Sequence, residues 1–97
     1  MKIIFKITYP NGMIYIGKDS KNHINYFGSP VIKRLEEDFP WKKRKIFCIK
    51  KEILWSRKNI SEKELLEKEK EFIIKLGANN PSIGYNLRPK YIKKNIE

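Results

Sequence analysis

Two short runs rich in β-branched and aromatic residues, Lys2 to Tyr9 and Met13 to Lys18, flank Pro10-Asn11-Gly12. Asn-Gly between such runs is the strongest short-range hairpin signal. A three-residue loop with Gly12 at positive φ sets Tyr9 opposite Met13, Ile7 opposite Tyr15 and Phe5 opposite Gly17. Alternation then puts Phe5, Ile7, Tyr9, Met13 and Tyr15 on one face and Ile4, Ile14 and Ile16 on the other. A hairpin apolar on both faces belongs in the middle of its fold. Residues 18–28 show no period and many turn formers, the pattern of a loop. Ser29 as N-cap and Pro30 at the first helical position predict a helix with Val31, Ile32, Leu35 and Phe39 on its apolar side, stopped by Pro40. Glu36, Glu37 and Asp38 in its last turn have the wrong sign for the helix dipole. Residues 46–55 are rich in strand formers and predict a third strand. Ser61-Glu62-Lys63-Glu64 is a capping box that opens a helix running to Leu76 and ended by Gly77. The remainder holds Asn79-Asn80-Pro81, Gly84-Tyr85-Asn86-Leu87 and a basic tail. The expected fold class is α/β in the α+β sense: one domain over residues 1–97, with a small three-stranded antiparallel sheet flanked by helices.

Charge changes the picture most. The chain of 97 residues carries 22 Lys and Arg against 11 Asp and Glu, a formal charge of +11. So large an excess on one small domain points to a polyanion, nucleic acid ahead of an anionic membrane surface. No apolar run approaches the length of a membrane span and no signal-peptide pattern opens the chain, so no membrane partner is expected. The single cysteine, Cys48, excludes an internal disulfide framework and fits a reducing cytoplasm. One histidine and one cysteine are too few for a zinc site of the usual kind. Any metal would be a hard cation held by carboxylate and water.

One carboxylate stands out. At about 100° per residue, with Leu65 at zero, Leu76, Glu69, Ile73 and Leu66 fall at roughly 20°, 40°, 80° and 100°, and Phe72 at roughly 340°. Glu69 therefore lies in the middle of the apolar stripe, while Glu64, Glu67 and Glu71 take the opposite side. A glutamate there is desolvated unless a cation or hydrogen-bond donors meet it. It either reaches out at the rim, pairs with a lysine, or is held at the edge of the core to ligate a divalent metal.

Tyr15-Ile16-Gly17 at the end of the hairpin, Tyr26-Phe27-Gly28-Ser29 before a Lys-Arg helix, Glu69 ahead of Phe72-Ile73-Ile74-Lys75-Leu76, and Gly84-Tyr85-Asn86 together resemble the GIY-YIG nuclease family, in particular its small phage-type and homing members. The likeness spans roughly residues 2 to 88 and rests on the order and spacing of these motifs. It implies a GIY-YIG-like fold and hydrolysis of DNA phosphodiester bonds with one Mg²⁺ or Mn²⁺. Glu69 would bind the metal, Tyr15 would orient or deprotonate the attacking water, and Asn86 would position phosphate or neighbouring side chains.

The chain departs from the family in two places. Ile3-Ile4-Phe5 stands where Gly-Ile-Tyr is expected, so Phe5 occupies the position of the signature tyrosine without its hydroxyl. The family's arginine after Tyr-Ile-Gly has no counterpart; Lys18, Lys21 or His23 would supply that positive charge, and His23 can also move a proton near neutral pH. Lys33 and Arg34 on the first helix, the cluster from Trp41 to Lys45 with Lys42, Lys43 and Arg44, and the tail with Arg88, Lys90, Lys93 and Lys94 are candidate phosphate contacts. The expected partner is duplex or branched DNA, with a homodimer mate or a separate DNA-targeting protein as the routes to sequence preference. Two other readings compete: a catalytically impaired nucleic-acid-binding domain on the same scaffold, and a small basic ribonuclease.

Overall fold

The computed structural model describes residues 1–44 and 47–92, the Lys43 side chain excepted. The expected strand start at Ile46 and the side chains of Lys43, Lys45, Lys93 and Lys94 lie outside the described residues. The elements run β1 (Lys2–Thr8), β2 (Ile14–Asp19), α1 (Ile32–Asp38), a 3-10 turn at Trp41–Lys43, β3 (Lys50–Arg57) and α2 (Glu62–Leu76). The three strands form one antiparallel sheet in the order β2-β1-β3. This is a small α+β fold.

The hairpin forms as its residues dictate. Tyr9 N–H donates to the Met13 carbonyl at 2.9 Å, Gly12 N–H donates back to Tyr9 at 2.9 Å, and Gly12 takes φ 85°. Phe5 pairs with Gly17 and Ile7 with Tyr15. With register set, each face builds its own core. Ile3, Phe5, Ile7, Tyr9 and Tyr15 pack with Tyr85, with Leu35 and Phe39 from the α1 side against them. Ile4 and Ile16 pack on the other face with Leu65 and Ile73 of α2 and with Ala78. Most of the largest fully buried side chains, Ile3, Ile4, Phe5, Ile7 and Ile16, belong to the hairpin, which makes it the centre of the molecule. At ~1.5–3 kcal/mol for each apolar side chain taken from water, these residues supply much of the driving force.

Helix α2 is specified locally. Ser61 Oγ accepts the Glu64 N–H at 3.1 Å, and Glu64 accepts from the Ser61 hydroxyl at 3.3 Å, so the returning half of the box reaches the side chain rather than the backbone. Gly77 ends the helix in the left-handed region at φ 72°. The first helix differs from expectation. It starts at Ile32 with Val31 as an N-cap that makes no side-chain cap bond, not at Ser29-Pro30. Ser29 N–H is held by the Tyr15 hydroxyl at 3.0 Å and Val31 N–H by the Tyr85 carbonyl at 3.2 Å, and Pro30 disfavours helical backbone at Ser29, so tertiary bonds keep this stretch extended. The acidic last turn also finds its reason, since Asp38 accepts the buried Tyr85 hydroxyl. Strand β3 lies further along than 46–55 because its register follows β1, from Thr8 opposite Lys50 to Lys2 opposite Arg57. Pairing jumps from Phe5–Ile53 to Ile4–Trp55, which leaves Leu54 as a bulge that blunts this outer edge.

The opposite edge, on β2, is closed from far along the chain. Ile14 donates to the Ile83 carbonyl at 3.0 Å and accepts from Tyr85 N–H at 2.8 Å. Gly84 lies between them, where a Cβ would overlap the Ala78 and Ile14 carbonyl oxygens. Two residues on, the buried Asn86 side chain takes the role of a strand: its Oδ1 accepts Ile16 N–H at 2.8 Å and its Nδ2 donates to the Ile16 carbonyl at 2.7 Å. Asn86→Ala strips both partners from Ile16, each worth about 1–3 kcal/mol when left unpaired in the interior. The expected loss is about 2–5 kcal/mol in urea unfolding, with faster amide exchange at Ile16; a loss below about 1 kcal/mol contradicts this role.

Candidate active site

Beyond Ile16 the next outward-facing residue of β2 is Lys18, and here α2 brings Glu69. Leu65, Phe72, Ile73 and Leu76 all turn to the core as the helical periodicity requires, while Leu66 is 39% exposed and leaves the stripe. Glu69 is half-buried beside them. Burial raises its carboxyl above the ordinary glutamate value, while the Lys18 ammonium, the Lys18 backbone N–H and Lys70 pull the other way. The Lys18 charge thus partly offsets the desolvation of the glutamate.

Tyr15 approaches from the other face of the same edge strand. Its ring is packed by Gly28, which stands at φ 82° and where a Cβ would overlap the ring. Its hydroxyl oxygen accepts the Ser29 N–H at 3.0 Å. Burial raises the Tyr15 phenol above its ordinary value; the Ser29 bond opposes that, and the charge of Glu69 adds to it. The Glu69 charge therefore reaches Tyr15 across β2, while the Lys18 charge acts on the carboxylate. A phenol raised in this way keeps its proton near neutral pH.

The other expected residues lie at varied distance from this edge. Asn86 is committed to Ile16. Phe5 is fully buried, its para carbon set against Gly17, its ring 5.8 Å from that of Tyr26 and 6.4 Å from that of Tyr15. His23 and Lys21 belong to a turn built by Asp19, which accepts Lys21 N–H at 2.9 Å and His23 N–H at 2.6 Å. The exposed His23 ring keeps Nδ1 at 3.5 Å from Asp19. Burial pushes the Asp19 carboxyl up, but these backbone donors and His23 outweigh it and leave it below the usual range. Arg34 bonds the Gly84 carbonyl at 2.9 Å and the Pro81 carbonyl at 2.6 Å and covers the Tyr85 ring, so it ties α1 to the segment that closes β2. Lys33, Lys42, Arg44 and Arg88 are exposed, Arg44 with its Nε on the Phe39 carbonyl.

Sequence reasoning missed Asp19 and Lys51. Asp19 was legible as the head of an Asx turn, Asp-Ser-Lys-Asn-His, directly after a strand. Lys51 was not, because only the β1–β3 register turns it inward. Its Nζ lies 4.7 Å over the Phe5 ring and donates to the His23 and Tyr26 carbonyls at 3.0 and 2.7 Å.

Among the described residues no three His, Cys, Asp or Glu side chains gather as a metal-binding group. Glu69 offers one carboxylate at an accessible edge, a donor set that fits Mg²⁺ or Mn²⁺ when substrate phosphate and water complete the shell. Among those residues no helix is long and apolar enough to cross a membrane. Comparison with family models, curated proteins and solved structures returns no match.

The buried tyrosines give a direct test of this packing. Burial pushes Tyr9 up to about 12, with Tyr15 and Tyr85 adding to it, and the phenols of Tyr15 and Tyr85 are themselves raised. The fold favours the neutral phenols, so their contribution to stability is complete below the ordinary value of about 10 and is lost as pH rises through the folded values. Ultraviolet titration should show tyrosinate forming late for these residues, with the melting temperature falling from pH 10 toward 12. Full ionisation of all tyrosines by pH 10.5 in the folded protein contradicts the burial.

Proposed function

We propose that the chain is a divalent-metal-dependent endonuclease acting on DNA phosphodiester bonds, a GIY-YIG-type nuclease. The observation that carries this is a half-buried Glu69 within electrostatic reach of Lys18 and Tyr15 of β2, on a chain of formal charge +11. The Lys18 ammonium draws the phosphate to the edge. The Tyr15 hydroxyl, fixed through its oxygen by Ser29 N–H, points its remaining proton at a phosphate oxygen or at the attacking water. Glu69 is the ligand for Mg²⁺ or Mn²⁺, which when bound supplies charge stabilisation at the phosphate and the leaving oxygen. Asn86 holds the Ile16 backbone between Tyr15 and Gly17 and so positions Tyr15 without touching substrate. Cys48 is a free, exposed thiol, in keeping with a reducing compartment.

A second reading, a nucleic-acid-binding domain without catalysis, draws on Phe5. Its ring is sealed between Gly17 and Lys51, so no hydroxyl stands where the family's first tyrosine would act.

Supercoiled plasmid with Mg²⁺ separates the two. Wild type should nick it, and Glu69→Gln should lose more than about 100-fold of the rate, since even the outer partners of metal ligands cost up to that much. The same variant should not melt lower than wild type at pH 7. The fold disfavours the ionised Glu69, a penalty absent below the ordinary glutamate value and complete above the raised one, and glutamine removes it. Nicking should likewise fall on acidification as Glu69 protonates. Equal nicking by the two proteins, or none by either, contradicts the nuclease.

A further inference from the structure

The loop that follows β2 does two things at once. Gly28 and Ser29 pack and hydrogen-bond Tyr15, while the residues just before them cross the sheet to β3. There Asn22, Ile24, Phe27, Lys51 and Ile53 line a depression of about 400 Å³, mostly apolar and open to solvent, which lies in the ~300–1,000 Å³ range of small-ligand sites. Three of its walls are apolar side chains left in water: Ile24 is 91% exposed, Ile53 56% and Phe27 42%. Neither core cluster takes in any of these three. Lys51 forms the fourth wall, 5.7 Å from the Phe27 ring centre; two of its three ammonium donors are spent on the loop carbonyls and one remains. Asn22 closes the rim in the left-handed region at φ 52° and brings an amide with both donor and acceptor.

We propose that this depression binds a single unpaired nucleobase of the strand whose phosphate lies at Tyr15, so that the preferred substrate class is DNA with an unpaired or extruded nucleotide beside the scissile bond. This rests on the endonuclease reading. A nucleobase is flat, has an apolar face for Ile24, Phe27 and Ile53, carries polar edges for Asn22 and brings a phosphate for the free donor of Lys51. The size suits one base and not a helix or strand of a partner. A second copy of this chain would bring another charge of +11 to the same cation, whereas a nucleotide brings the opposite sign. Stacking on an aromatic side chain is tolerant of which base is stacked, so the site selects an unpaired state rather than a sequence. The Phe27-Gly28-Ser29 stretch then links capture of the base to the seating of the Tyr15 hydroxyl.

The test compares a short single-stranded oligonucleotide with the same oligonucleotide carrying one abasic residue at its centre, by fluorescence anisotropy at several salt concentrations. The proteins are wild type, Ile24→Ser and Phe27→Ala. Ile24 is nearly fully exposed, so its substitution leaves the fold intact. Wild type should bind the complete oligonucleotide about 10-fold more tightly than the abasic one. Both variants should shrink that ratio toward one while keeping the salt dependence, which comes from phosphate contacts. Salt-dependent binding of equal strength to both oligonucleotides by wild type overturns the base site and leaves the nuclease reading standing. An unchanged ratio in the Ile24→Ser protein also overturns it. No binding of either oligonucleotide overturns the site and the nucleic-acid reading together. Wild type that sediments as a dimer, reduced to monomer by Ile24→Ser, overturns it in favour of a second copy as occupant.

Discussion

Everything proposed for this molecule depends on how the free edge of β2 is satisfied. A three-stranded sheet leaves two rows of backbone donors and acceptors, and each must find partners or face water. On β3 the bulge at Leu54 breaks the row. On β2 the chain returns after α2, and Ile83, Tyr85 and the Asn86 amide bond Ile14 and Ile16 in turn. That return fixes α2, since Gly77 and Ala78 join helix to closing segment, and α2 then delivers Glu69 next to Lys18. It also fixes α1, through Arg34 on Pro81 and Gly84 and through the Tyr85 hydroxyl on Asp38. One strand edge therefore organises both helices, and the candidate chemistry sits where the closure stops.

The electrostatics follow from that geometry. Burial pushes both Glu69 and Tyr15 toward their neutral forms, and the Glu69 charge adds to this at Tyr15, while the Lys18 charge favours the ionised carboxylate. A carboxylate kept partly desolvated beside a cation costs the fold stability, and such costs gather where a site needs a reactive group. On the β1 side, Phe5 sets an apolar ring under the Lys51 ammonium. The same lysine is tied to the carbonyls of the loop that touches Tyr15.

The parts legible from sequence are those determined by neighbours along the chain. Pro10-Asn11-Gly12 between two strand-forming runs specifies the hairpin register, and Ser61, Glu64 and Gly77 bracket α2. The place of Glu69 among Leu65, Phe72 and Ile73 follows from helical period alone. What escaped is non-local. Ser29-Pro30 carries every local mark of a helix start, yet Tyr15 and Tyr85 hold it extended from a distance. The position of β3 depends on β1 rather than on its own composition, and with it goes the inward turn of Lys51. Asn86, expected to position phosphate or neighbouring side chains, is committed instead to both backbone groups of Ile16, a role that only the closed edge reveals.

The most direct measurement is the paramagnetic broadening of backbone amide resonances by Mn²⁺, added in small amounts to the protein bound to a short duplex with a non-cleavable backbone. Broadening should centre on Lys18 and Glu69, extend to Tyr15, Ile16 and Gly17 along β2, and vanish in the Glu69→Gln protein. Broadening centred elsewhere, or unchanged by that substitution, would contradict a metal-dependent site at the β2 edge.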